Sequence, residues 1–118
     1  MRSVIFGSVF LFALCGSASA DMYIMQPSPQ YDHPYRGPLI EHALPWRDAR
    51  ALCGQMVPKI ASLSGYVKRP DACAWRAGHV CHIVVPAGRD VPAHETAAYR
   101  RHEIGHCNGW SANHSGGR

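Results

Sequence analysis

The chain has 118 residues, with 12 Lys and Arg against 8 Asp and Glu, a formal charge of +4, and 8 histidines. That is enough chain for one domain, and its basic excess is too small and too scattered to mark a nucleic-acid binder. No apolar run approaches the ~20 residues that span a bilayer.

Met1-Arg2-Ser3 puts one positive charge ahead of an apolar run from Val4 to Leu14, and Ala18-Ser19-Ala20 follows. That order of charge, short apolar centre and small residues is the order of a secretory signal peptide. Residues 1–20 are expected to be cleaved, which leaves Asp21 first and a periplasmic or secreted protein with no membrane span. Arg2 and Cys15 leave with the signal, so 98 residues remain with 11 basic against 8 acidic side chains, or +3. Cys53, Cys73, Cys81 and Cys107 also remain. Four cysteines in an oxidising compartment predict two disulfides. Cys73–Cys81 across a hairpin, and Cys53–Cys73 with Cys81–Cys107, are both reasonable pairings.

Residues 21–45 are expected to form an extended arm packed on the domain. Prolines at 27, 29 and 34 forbid a helix in its first part, and its tyrosines suit packing. The domain proper spans 46–118. Pro45 opens a short helix from Trp46 to Cys53, with Gly54 as its stop and Trp46, Ala49 and Leu52 on one face. Residues 54–71 read as irregular. Ala72–Trp75 and Val80–Val85 form a hairpin, with Cys81, Ile83 and Val85 on one face of the second strand and Val80, His82 and Val84 on the other. The last helix follows, with Asp90 as N-cap, Pro92 in the first turn, and Ala93 through Cys107 unbroken except at Gly105. Gly105 costs about 1 kcal/mol of helix propensity, which hints at close packing or crowding there. The expected fold is α+β, a small antiparallel hairpin sheet packed on a C-terminal active-site helix.

That helix carries His102-Glu103-Ile104-Gly105-His106. Residues four apart share a helix face, so His102 and His106 can hold one zinc ion together. Glu103 is offset by one residue and suits the role of general base toward an attacking water. A catalytic zinc needs a third protein ligand and an open position. His114 is the expected third ligand, brought back by a reversal at Gly109. Cys107 is expected to be taken by a disulfide. His94, His79, His82 and His33 are the remaining candidates. Tyr99 and the tryptophans Trp75 and Trp110 are read as packing residues, and Arg100 and Arg101 as solvated.

The run from His102 to Gly109 resembles the zincin superfamily of metallopeptidases, whose HExxH motif it contains. The later glycine and histidine are similar to the metzincin pattern, except that Ala112 stands where that pattern has its third histidine and no methionine follows Met56. The chain also looks like small exported bacterial proteins ending in HEIGHCNGW. The resemblance implies a minimal zincin-like domain that binds Zn2+ and hydrolyses peptide bonds. It implies Glu103 as catalytic base, His102, His106 and His114 as metal ligands, and an edge strand, taken as 80–85, that pairs with extended substrate. The expected partner is a peptide or protein substrate, or a protein that completes a shallow cleft. Nucleic acid is not expected. The alternative is a non-catalytic structural zinc-binding or interaction domain. Such a site is usually closed by four protein ligands.

Overall fold

The computed structural model describes residues 23–60 and 70–118, so the expected signal peptide lies outside the described residues. Three strands, β1 (Leu39–Leu44), β2 (Cys73–Ala77) and β3 (Val80–Pro86), and two helices, α1 (Trp46–Ile60) and α2 (Ala93–Cys107), make up the regular structure. The fold is α+β, but the sheet is mixed. Its strand order is β1-β3-β2, with β1 parallel and β2 antiparallel to β3.

The strand at 80–85 is therefore central. Its backbone groups are paired on both sides and cannot take an extended peptide, and the free edges belong to β1 and β2. This overturns the expectation that 80–85 is an edge. The cause is β1, which lies inside the segment read as an arm and pairs from Leu39↔Cys81 to Leu44↔Pro86. Its sequence, Leu-Ile-Glu-His-Ala-Leu, has one β-branched residue and little alternation, so pairing with β3, not local propensity, makes it a strand.

The alternation read in β3 holds. Cys81, Ile83 and Val85 pack with Tyr99 and Cys107 on the α2 side, while Val84 packs with Ala49, Cys53 and Cys73 on the α1 side. A strand covered on both faces needs apolar residues at every position, and Ile83 through Pro86 are all buried. Each disulfide joins one helix to the sheet: Cys53 of α1 to Cys73 of β2, and Cys81 of β3 to Cys107 of α2. A Cys73–Cys81 bridge is excluded by register, because Cys73 lies opposite Val84 and Cys81 opposite Arg76.

Helix α1 continues past Gly54 and through Pro58, further than the sequence reading took it. Gly54 is exposed, and nothing lies within 4 Å of where a Cβ would sit. A glycine there weakens the helix without ending it. Ala49 is buried and Leu52 packs beside it, whereas Trp46 crosses to the α2 side and meets Tyr99 edge-on at 5.8 Å. At the start of α2 the N-cap is Pro92 with no side-chain cap bond, so Asp90 does not cap the helix. Its carbonyl accepts from Trp46 Nε1 instead. No helix among the described residues is long and apolar enough to cross a membrane, and the two disulfides are consistent with an extracellular or periplasmic protein.

Candidate metal centre

Helix α2 ends in a reversal that builds half of the site. Gly109 takes φ +103, which glycine adopts without a Cβ penalty. Trp110 N–H donates to Gly105 O at 3.0 Å and Gly109 N–H to His106 O at 3.1 Å, the pair of bonds of a Schellman stop. The chain turned in this way presents Trp110 O to His106 Nδ1 at 2.8 Å. The helix stop thus fixes the orientation of an imidazole one turn earlier.

The loop beyond carries His114 back to the helix. Ser115 N–H donates to Asn113 Oδ1 at 3.1 Å, His114 N–H to Ser111 O at 2.9 Å, and Trp110 Nε1 to Ser115 O at 2.9 Å. His114 itself sits at φ +58, a left-handed conformation uncommon for any residue other than glycine. Strain of that kind clusters at functional sites.

The outcome is a triangle of imidazole nitrogens. Nε2 of His102 lies 3.1 Å from that of His114 and 3.3 Å from that of His106, and the third side is 3.2 Å. The rings tilt by 54–71° with centroids 4.8–5.0 Å apart, so they converge on a common point. His102 Nδ1 donates to Met25 O at 2.6 Å, and His106 Nδ1 donates to Trp110 O as above. Carbonyls only accept, so both Nδ1 atoms carry the proton. In the neutral rings both Nε2 atoms then face each other as lone pairs. Burial pushes the His102 imidazole down to about 4, helped by His106 and His114 and opposed by the Met25 carbonyl. Burial also lowers His106 and His114. Protonation is therefore a poor way to relieve the clustered lone pairs, and a shared cation is a good one. His102, His106 and His114 lie close enough together to bind a metal ion.

Glu103 is 4% exposed and shares the sheet-facing stripe of α2 with Tyr99 and Cys107. Burial raises its carboxyl to about 8. Trp110 is buried and stacks on His106 at 4.9 Å and 18°, and it also touches His102 and His114. It is both a core residue and a wall of the metal site. Tyr99 packs in the core as expected. Arg101 is exposed and Arg100 half-buried, and both are paired, Arg100 with Glu41 and Arg101 with Asp32.

The other histidine candidates are elsewhere. His79 and His33 are exposed, and the latter's Nδ1 bonds to Pro34 O. His94 is exposed near the start of α2. His82 lies on the α1 side of the sheet between Trp75 and His42. His82 Nδ1 and His42 Nε2 are 3.2 Å apart, as close as the triad nitrogens. Yet these rings are within 12° of coplanar and their centroids are 5.5 Å apart. At equal N···N distance, wider centroids mean that the rings meet head-on, with one N–H donating to the other nitrogen. That is a hydrogen bond, and its lone pairs do not converge as the triad's do.

The sequence did not point to the Met25 and Trp110 carbonyls. A backbone acceptor leaves no mark on residue type, and only the helix stop at Gly109 hinted at the second. No family model, no curated protein and no solved structure matches the chain.

Proposed function

We propose that the protein is an exported zinc hydrolase of peptide bonds, with His102, His106 and His114 as ligands and Glu103 as general base. The observation that carries this reading is the triangle of Nε2 atoms 3.1–3.3 Å apart. Imidazole nitrogens on a tetrahedral zinc, bound at ~2.05 Å, stand ~3.3 Å from one another. The triangle fits one face of that tetrahedron. Among the described residues, no fourth His, Cys, Asp or Glu joins the group. Three protein ligands are the complement of a catalytic site, and four that of a structural one.

A bound zinc ion would supply a Lewis acid and lower the pKa of its water from 15.7 to about 7. The chain supplies the rest. Met25 O and Trp110 O hold the Nδ1 protons, which keeps the Nε2 lone pairs free for a cation. The Trp110 ring packs against all three imidazoles. Glu103 follows His102 directly in the helix; burial favours its protonated form, and a cation held by the neighbouring triad would oppose that and favour the carboxylate a base requires. A carboxyl so placed can take a proton from attacking water and return it to the leaving amine.

One observation favours a second reading, a structural zinc site. The triad and its carbonyl partners fasten three segments together: the arm at Met25, the helix, and the loop at His114. The two readings part on Glu103. Zinc content and hydrolysis of a general peptide substrate are measured for the wild type and Glu103→Gln. Under the catalytic reading the variant keeps its zinc and loses on the order of 100- to 10,000-fold in rate. Equal rates in the two proteins, or no hydrolysis in either zinc-loaded protein, would leave the structural reading.

A further inference from the structure

We infer that the N-terminal arm is an outer shell of the metal centre, so that docking of residues 24–28 and loading of the histidine triad are coupled. The inference rests on the reading of the triad as a metal site and does not depend on catalysis.

Three observations carry it. First, Met25 O accepts the Nδ1–H of His102 at 2.6 Å. This bond selects the tautomer that leaves Nε2 free, and it ties that imidazole to a segment 77 residues away in the chain. Second, the arm is seated on helix α2 through Gly105. A Cβ built there would stand 2.3 Å from Pro27 Cγ and 2.8 Å from Pro27 Cβ, while Pro27 itself is fully buried. A proline ring cannot swing aside as a long side chain can, so this contact needs glycine on the helix. Third, the arm is clasped by the other end of the chain. Gln26 N–H donates to Arg118 O at 2.7 Å and Arg118 N–H to Gln26 O at 2.9 Å, with Arg118 Nε reaching Pro27 O at 3.3 Å. Asp32, further along the arm, pairs with both Arg101 of α2 and Arg118.

The arm and the His114 loop therefore close on the helix from two sides and meet each other at the Gln26–Arg118 pair. Freed from the arm, His102 can rotate or shift its proton to Nε2, and either change removes a ligand. Outer-shell partners of this kind are worth about 10- to 100-fold in metal affinity. Coupling of binding equilibria is reciprocal. Zinc must hold the arm down by the same factor by which the docked arm strengthens zinc binding.

The test uses zinc itself and the disulfide-bonded chain. Zinc affinity is measured by chelator competition for the wild type, Gly105→Ala, Pro27→Gly and the double variant. Gly105→Ala improves helix propensity yet should bind zinc about 10- to 100-fold more weakly. Pro27→Gly, which removes the buried anchor of the arm and leaves Gly105 beside Trp110 untouched, should weaken zinc by a similar factor, and because both substitutions break one contact their losses should not add in the double variant. Amide exchange gives the reciprocal readout. Stripping zinc from the wild type should speed exchange at Gln26 and Arg118, while Cys81 N–H, bonded to Pro38 O at 2.9 Å, stays protected. Wild-type affinity in Gly105→Ala or in Pro27→Gly, losses that add in the double variant, or unchanged exchange at Gln26 and Arg118 overturns the inference. A wild type that binds no zinc overturns the metal reading with it. Zinc-coupled protection in a protein that cuts no peptide supports the inference and removes only the peptidase.

Discussion

Two groups of histidines flank the same sheet with the same nitrogen spacing and opposite chemistry. His42 and His82, from β1 and β3, meet nearly coplanar at 3.2 Å beside Trp75 and satisfy each other with one proton. His102, His106 and His114 meet at 3.1–3.3 Å with tilted rings, and their Nδ1 protons, where partners are seen, go to carbonyls outside the group. What separates them is what holds the far side of each ring. Where the other nitrogen is tied to a backbone acceptor, as in His102 and His106, the near nitrogen is left as a lone pair, and with His114 beside them the three lie close enough together to bind a metal ion. A distance between histidines says little without the tautomer, which the surroundings impose.

The widest gap between the two groups should be in zinc affinity. His102→Ala or His106→Ala should weaken binding by about 100- to 1000-fold, taking the ~10–16 kcal/mol of a four-ligand zinc site as shared among its ligands. His42→Ala should leave binding unchanged. Equal losses in a competition titration would erase the distinction.

The disulfides sharpen the comparison, since each belongs to one side of the sheet. They close loops of 20 and 26 residues. Replacing either pair by serine should cost about 3 kcal/mol of stability by the loop-entropy account. Only the Cys81–Cys107 pair adjoins a ligand, His106, so only its loss should also weaken zinc. Chemical denaturation and zinc titration of the two double variants read both effects.

A pH-dependent effect separates Glu103 from its neighbours. Burial raises its carboxyl from the ordinary 4.5 to about 8, so the folded protein keeps that proton where the unfolded chain has released it. Its contribution to folding therefore worsens as pH climbs from about 4.5 to about 8, and is flat outside that window. Metal-free Glu103→Gln, which has no proton to lose, should gain stability over the metal-free wild type through that window. Urea midpoints of the two proteins that stay parallel across the range would contradict it. Least affected should be His42→Phe, which keeps the ring stack and gives up one neutral hydrogen bond, about 1 kcal/mol in thermal unfolding.

Much of the site was legible because its signals are local. His102 and His106 stand one helical turn apart, Gly109 marks the reversal, and the seven residues between His106 and His114 suffice for the return. Gly105 also gave its warning, since a glycine inside a helix implies something pressed against it, and that something is Pro27. The alternation of β3 located both sheet faces. What stayed hidden is non-local. The strand β1 exists by virtue of its partner 42 residues away, and its presence turns the supposed edge strand into the centre of the sheet. The carbonyl of Met25 carries no side-chain signature, and the disulfide pairing became unique only when register placed Cys73 opposite Val84.

X-ray absorption at the zinc edge of the loaded wild-type protein tests the central claim most directly. It should show three imidazole nitrogens at ~2.0–2.1 Å and one oxygen ligand, a pattern lost in His114→Ala. Sulfur at ~2.3 Å, or a spectrum unchanged by that substitution, would contradict it.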